Sequence, residues 1–254
     1  MKTIRTVAEL RTTLEPRPAM VGLVPTMGAL HAGHEALIAA ARAECDVVVV
    51  SLFVNPAQFD EAGDLAAYPQ DEARDANLAA RAGADLLFAP SADEIYPPGF
   101  QTWVEVEELS RRLEGAHRPG HFRGVATVCL KLFNIVRPQR AYFGQKDAQQ
   151  LAVIRRLVRD LDLELEVRAV PTVRDSDGLA VSSRNGRLSP AERERALALP
   201  RALATRDAAA ARALLAGLDV DYVEVADFDP PVLAAAVRVG STRLIDNVVL
   251  EEER

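Results

Sequence analysis

Three short groups of polar residues stand where this sequence passes from an apolar run into a helical one, and their side chains are of the kinds that hold phosphate. The first is His31-Ala-Gly-His34, just after Val24-Pro25-Thr26-Met27-Gly28. Two histidines three positions apart at a helix start share one face. Gly33 lets a ligand approach the backbone closely. The helix start adds unsatisfied N–H groups and a positive dipole end, so the imidazoles can donate to charge that develops on a phosphoryl group. The competing reading is two half-exposed histidines beside a helix cap. The second group is Gly144-Gln145-Lys146-Asp147-Ala148-Gln149-Gln150. Lys146 offers a point charge for phosphate oxygens, and the glutamines can hydrogen-bond a polar substrate. Asp147 can equally be a helix cap. The third runs from Arg174 to Asn185 and contains Ser182-Ser183-Arg184. Two hydroxyls beside a guanidinium suit an anion clamp; a solvated interdomain linker has the same composition.

Two weaker groups join these. His117, Arg118, His121 and Arg123 place four basic side chains in seven residues of a net-negative chain. That is either a positive spot for a carboxylate or phosphate or an ordinary basic loop. Asn55-Pro-Ala-Gln58-Phe59 leaves the carboxyl end of an apolar strand, where open α/β sheets bind ligands. Asn55 can also do no more than satisfy its own turn.

The elements that must position these residues alternate. Residues 3–16 read as a short helix, with Val7, Leu10 and Leu14 at helical spacing. Strands are expected over 20–26, 46–54, 85–89 and 141–143, and the alternating stretch 163–170 is a further candidate. The run Val47-Val-Val-Val50 is apolar and β-branched, as in a parallel strand covered on both faces. Helices are expected over 33–43, 69–82 (opened by Pro69 and closed by Gly83), 122–136 and 147–161. Trp103 to Val106 reads as a short strand inside an irregular segment. This alternation implies a doubly wound parallel sheet. Beyond about residue 175 the composition shifts. Residues 190–217 read as helical, and 220–225 and 243–250 as strands separated by an Ala-rich helix after Pro230-Pro231. The expected organisation is a main domain over 1–174 and a small α+β domain over 175–254.

The chain has 254 residues, of which 49% are hydrophobic and 26% charged. A formal net charge of −7 argues against broad nucleic-acid binding, which needs a basic face. The two cysteines, Cys45 and Cys129, lie in or beside apolar runs and form no C-x-x-C pair, so buried, reduced thiols are expected. The N-terminal residues lack the apolar core of a signal peptide, and no apolar run approaches the roughly 20 residues of a membrane span. A cytoplasmic protein is expected. There is no G-x-x-x-x-G-K-[ST] phosphate loop, no G-x-G-x-x-G fingerprint and no G-x-S-x-G elbow.

Taken together, six ordered segments resemble the pantothenate synthetase (pantoate–β-alanine ligase) family. They are Pro25-Thr-Met-Gly-Ala-Leu-His-x-Gly-His34, Phe53-Val-Asn-Pro-x-Gln-Phe59, Tyr68-Pro69, His121-Phe-Arg-Gly-Val125, Tyr142-Phe-Gly-x-Lys-Asp-x-Gln-Gln150 and Asp177-Gly-Leu-Ala-x-Ser-Ser-Arg-Asn185. They span most of residues 20–190. The family belongs to the nucleotidyltransferase superfamily of class I aminoacyl-tRNA synthetases. His31-Ala-Gly-His34 resembles its first signature, and Val181 to Asn185 a variant of its second.

The resemblance implies a Rossmann-like α/β fold and an AMP-forming ligase. The pantoate carboxylate attacks the α-phosphorus of ATP, pyrophosphate leaves, and the amine of β-alanine takes the pantoyl group from the adenylate. Such an in-line attack needs positioning and charge stabilisation more than a protein nucleophile. By this resemblance His31, His34, Lys146, Ser182, Ser183 and Arg184 are catalytic. Pro25, Thr26, Met27, Gly144, Gln145, Asp147, Val173 and Val181 join them around ATP. Met27, Gln58 and Gln150 hold pantoate, and Arg118 and His121 lie on the β-alanine side. Mg²⁺ accompanies ATP as it bridges phosphate oxygens, with Asp75 as its candidate ligand. The chain departs from the family pattern at Val181, where Met is frequent, and at Arg74-Asp75, where an acidic pair is usual. A homodimer is implied, with no nucleic-acid or membrane partner. The readings kept beside this one are a nucleotidyltransferase of the same superfamily acting on another small substrate, and a non-catalytic nucleotide-binding module.

Overall fold

The computed structural model describes residues 1–59, 65, 66 and 68–250. Part of the polar loop expected over 57–68 therefore lies outside the described residues. The chain forms two compact units, residues 1–143 with 153–170 and residues 144–152 with 171–254.

The first unit carries a six-stranded sheet. Its strands are β1 (Lys2–Ile4), β2 (Val21–Thr26), β3 (Val47–Leu52), β4 (Leu86–Phe88), β5 (Arg140–Gly144) and β6 (Glu166–Val170), in the spatial order β1-β4-β3-β2-β5-β6. The pairs β1/β4, β4/β3, β3/β2 and β2/β5 run parallel. From β2 the chain winds outward one way through β3 and β4, then the other way through β5 and β6. β2 therefore lies at the topological switch point, beside which such sheets bind ligands. Its helices are α1 (Val7–Thr13), α2 (Ala32–Glu44), α3 (Glu72–Ala82), α4 (Ala92–Ile95), α5 (Glu114–His117) and α6 (His121–Val136). Val24, Val48 and Val50 of the sheet bury against Leu37, Ile38 and Ala41 of α2 and Leu78 and Ala79 of α3. Gly22 lets β2 pass close to Cys45, whose Sγ stands 2.8 Å from where a Cβ would be. Both cysteines are buried and unbridged.

Three expectations need correction in this unit. Residues 3–16 are not one helix. Residues 2–4 pair in register with Leu86, Leu87 and Phe88, and the Thr6 hydroxyl then caps a shorter helix by accepting the Glu9 N–H at 3.2 Å. Pro69 does not open α3; the Asp71 carboxylate does, by accepting the Arg74 N–H at 3.0 Å. Trp103 to Val106 forms no strand. The Val104 N–H is taken by the Thr127 hydroxyl at 3.0 Å, and Trp103 stacks on Tyr96 with the Arg123 guanidinium over its ring.

Helix α7 (Ala148–Asp160) starts among residues of the second unit and continues among those of the first. The rest of the second unit contains α8 (Pro190–Ala196), α9 (Ala198–Leu203) and α10 (Ala208–Leu214). Its antiparallel sheet is β7 (Asp219–Ala226), β8 (Val232–Val239) and β9 (Thr242–Val249). Ser189 and Glu192 form a capping box that starts α8, with Pro190 in its first turn. Here the expected Ala-rich helix after Pro230-Pro231 is overturned. Val232 to Val239 is the central strand, paired on both sides from Val232↔Ala226 to Val239↔Thr242. Alanine favours helices only weakly. Two strands to pair with, and burial of Leu233, Ala235, Val237 and Val239 against Leu199, Leu203 and Leu215, outweigh that preference.

Candidate functional site

In the first unit the chain leaves β2 at Thr26, whose hydroxyl donates to the Ser51 carbonyl at 2.7 Å and ties the strand end to β3. Met27 follows, half-buried. The next two residues take positive φ, +95° at Gly28 and +51° at Ala29, and turn the backbone toward α2. That turn is held from α3. The Asp75 carboxylate, buried to 1% exposure, accepts the N–H of Ala29 at 2.8 Å and of Leu30 at 2.9 Å. Arg74 donates to the Leu30 carbonyl at 3.2 Å and Tyr68 to the Gly28 carbonyl at 3.4 Å. Asp75, the residue the family resemblance offers for Mg²⁺, thus has both oxygens on this turn. Its oxygens face backbone N–H groups inside the fold, and among the described residues no three His, Cys, Asp or Glu side chains are grouped to hold a metal ion.

His31 is the N-cap of α2, and the two histidines together form a capping box. The His31 Nδ1 accepts the Gly33 N–H at 3.2 Å, and the His34 Nδ1 accepts the His31 N–H at 3.3 Å. The rings lie 4.1 Å apart, centroid to centroid. A ring nitrogen that accepts carries no proton, so each neutral imidazole bears its hydrogen on Nε2. Capping thus engages Nδ1 of each ring and sets the tautomer that places the N–H on Nε2.

Gln58 ends a short 3₁₀ turn, Pro56–Gln58, and is 8% exposed. Asn55 does more than serve its own turn. It accepts the Ala57 N–H at 3.2 Å while its amide donates to the Gln58 side-chain oxygen at 3.0 Å and the Gly124 carbonyl at 3.1 Å. Tyr96 donates to Asn55 at 2.9 Å, and burial pushes the Tyr96 phenol's pKa upward. Gly124 is required at its place in α6, since a Cβ there would meet the backbone of Ala57 and Gln58. The Gln58 carbonyl accepts from His121 Nδ1 at 2.9 Å and from Arg118 at 3.2 Å. Arg118 also donates to His121 Nε2 at 3.3 Å, which fixes His121 as the Nδ1–H tautomer. Two groups that lie apart in the sequence, Asn55 with Gln58 and Arg118 with His121, therefore form one cluster.

In the second unit, Gly144 leads into the 3₁₀ turn Gln145–Asp147 and then α7. Asp147 closes that turn directly before α7, and its carboxylate is 3.4 Å from the Lys146 ammonium. Gln149 is buried and Gln150 half-buried. The segment expected either as an anion clamp or as a linker is well structured. Arg174 bridges Ala180, Val181 donates to the Val173 carbonyl at 2.9 Å, and Gly178 turns the chain at φ +93°. Ser182 then caps the 3₁₀ turn Ser183–Arg187 by accepting the Arg184 N–H at 3.3 Å. A cavity in this unit is lined by Lys146, Ser182, Arg184, Asn185, Arg243 and Asp246, among others. Three cations thus border one recess. Its acidic member, Asp246, is paired in bidentate fashion with Arg174 at 2.7 and 3.1 Å. Such a recess favours an anion. Ser183 is exposed.

Arg243, Asp246 and Asn247 do not stand out in the sequence. They lie along β9, and the one available signal is that, with Thr242, they make four polar residues in a strand that otherwise carries the core.

The family model described as pantoate-beta-alanine ligase matches residues 2–249. The chain is 54% identical to pantothenate synthetase 1 of Bradyrhizobium diazoefficiens over 98% of each chain, and 50% identical to pantothenate synthetase of Moorella thermoacetica over 99% of each. Among solved structures it is similar to pantothenate synthetase from Thermus thermophilus, with TM-score 0.94 and 46% identity, covering 99% of this chain and 100% of that one. It is also similar to pantoate-beta-alanine ligase from Francisella tularensis complexed with beta-gamma ATP and beta-alanine, with TM-score 0.88 and 35% identity, covering 100% and 99%.

Proposed function

The chain belongs to the pantoate-beta-alanine ligase family, and from that premise we propose how its own residues carry the reaction. It is a ligase that forms a C–N bond, condensing pantoate with β-alanine at the expense of ATP. The observation that carries this is the family match over residues 2–249. The Francisella ligase solved with an ATP analogue and β-alanine supports the same substrates here.

In the first step a pantoate carboxylate oxygen bonds to the α-phosphorus of ATP and the bond to the pyrophosphate oxygen breaks. The carboxylate is already ionised at neutral pH, so no general base is needed. The Nε2–H groups of His31 and His34 serve as donors to the triphosphate, in the role of preorganised charge stabilisers. Lys146, Ser182, Ser183 and Arg184 neutralise the leaving pyrophosphate. Gln58, held by Asn55, Arg118 and His121, and Gln150 orient pantoate, with the Met27 backbone beside it. Gly144, Gln145, Asp147, Val173 and Val181 contact the nucleoside, and Pro25 and Thr26 shape its approach. In the second step the neutral amine of β-alanine attacks the acyl carbon, the bond to the AMP oxygen breaks, the amine nitrogen gives up one proton to the departing phosphate or to water, and the amide of pantothenate remains. Arg118 and His121 lie on the β-alanine side.

Mg²⁺ would accompany ATP, with Asp75 as the candidate protein ligand, and would supply counter-charge to the phosphate oxygens. We place the protein in the cytoplasm as a homodimer joined through the first unit, which light scattering after size exclusion tests. No helix of the described residues is long and apolar enough to cross a membrane.

The deciding experiment incubates the protein with ATP, Mg²⁺, pantoate and β-alanine and follows AMP and pantothenate. Both should appear only when all substrates are present. AMP release independent of pantoate or of β-alanine would overturn the assignment and favour a nucleotidyltransferase with another substrate.

A further inference from the structure

We propose that Asn247, on the last strand of the second unit, is a positioning residue for Lys146. This rests on the reading that Lys146 serves the triphosphate. Asn247 is 6% exposed, and its side-chain nitrogen donates to two successive carbonyls, Gln145 at 2.9 Å and Lys146 at 2.8 Å. Those carbonyls belong to the 3₁₀ turn that carries the lysine. In so short a turn, fixing two consecutive peptide planes fixes the direction in which the lysine stem leaves the backbone. A primary amide has the two hydrogens this needs, whereas a carboxylate or methyl at the same place has none.

Asn247 is itself held. Its N–H donates to Asp246 Oδ1 at 2.8 Å, and its carbonyl lies 3.5 Å from Arg174. Asp246, 3% exposed, is gripped by both arms of Arg174. A chain of polar contacts thus runs from Arg174 through Asp246 and Asn247 to the lysine turn. Across the sheet, Asp246 and Asn247 face Ala235 and Ala234 of β8. The methyl groups opposite leave these polar side chains room that larger residues would take.

A purely structural asparagine would affect folding and leave the work of Lys146 unchanged. A double-mutant cycle separates the two cases. The readout is the dissociation constant of α,β-methylene-ATP with Mg²⁺, measured by calorimetry on the full chain. Asn247→Asp keeps the shape and removes both donors. It should weaken binding roughly tenfold, the scale set by two amide hydrogen bonds. In a Lys146→Ala background the same change should weaken binding no further. Adenylation should slow in parallel, with the KM for β-alanine unchanged. Equal weakening in both backgrounds, or none in either, overturns the proposal. Lys146→Ala without any effect on affinity overturns instead the reading of Lys146 on which it rests. If Asn247→Asp fails to fold, Asn247→Ser, which keeps one donor, is taken through the same cycle. Its weakening must be smaller and again confined to the background that retains Lys146, and any other result overturns the proposal.

Discussion

The carboxylate of Asp75 accepts the backbone N–H of Leu30 at 2.9 Å, reaching back across 45 positions of the chain. With the Ala29 N–H on its other oxygen, it supports a turn whose two positive-φ residues immediately precede Leu30 and His31. Asp75 shares the buried face of α3 with Leu78 and Ala79.

Asp75→Asn should therefore cost stability and activity together. An amide offers one acceptor where two N–H groups wait, and a buried unsatisfied group costs about 1–3 kcal/mol. Urea unfolding should show a loss of that size, and pantoate-dependent pyrophosphate release should fall as His31 loses its fixed entry. Unchanged stability would show that the turn holds itself.

His121→Phe removes one of the two donors to the Gln58 carbonyl and keeps the ring's bulk. The KM for pantoate should rise roughly five- to tenfold, the worth of one well-placed hydrogen bond. The KM for ATP should hold. An effect on ATP alone would mean that the cluster does not orient pantoate.

Lys146→Ala should slow adenylation by at least about 100-fold, as removing a preorganised charge stabiliser does. Its side chain is 18% exposed and takes no part in a core cluster, so circular dichroism and the thermal midpoint should stay near those of the parent. Near-normal turnover in a folded variant would remove Lys146 from the chemistry.

The Asp177–Arg193 pair should make part of the stability depend on pH. The Leu179 N–H, and after it the Arg193 guanidinium, hold the Asp177 carboxyl below its ordinary value of 3.8, against the opposing effect of burial. A depressed folded pKa gives stability that is complete above the unfolded value and is lost as pH falls through the folded one. The stability difference between the parent and Arg193→Ala should thus be present at neutral pH, shrink below about pH 4 and weaken with salt. A difference that grows on acidification would contradict the assignment.

How far the sequence reveals these features depends on how local the cause is. The places of His31, His34 and Lys146 at strand-to-helix turns are legible because each group follows an apolar run and opens a helical one, and the sheet is legible because Val47 to Val50 can be little other than a covered strand. Val232 to Val239 misleads because its alanines state a helical preference, while the pairing that overrides it comes from residues before and after it in the chain. The hold of Asp75 on the histidine turn is not legible, because the N–H groups it serves lie more than forty positions upstream. Asn247 shows only as one of four polar residues in a strand that otherwise carries the core, since its partners, Gln145 and Lys146, lie about a hundred positions earlier.

The order in which the chain visits its two units limits how the protein can be taken apart. It leaves the first after Phe143, comes back at Val153 and leaves again after Val170. No single cut in the gene yields both units whole. A fragment beginning at Pro171 lacks the lysine turn that Asn247 holds, and one ending at Val170 carries that turn without its latch. Recovering activity from separate pieces therefore requires that the two fragments bind and complete each other. Grafting the C-terminal part of a distant relative onto this chain must carry residues 144–152 with it.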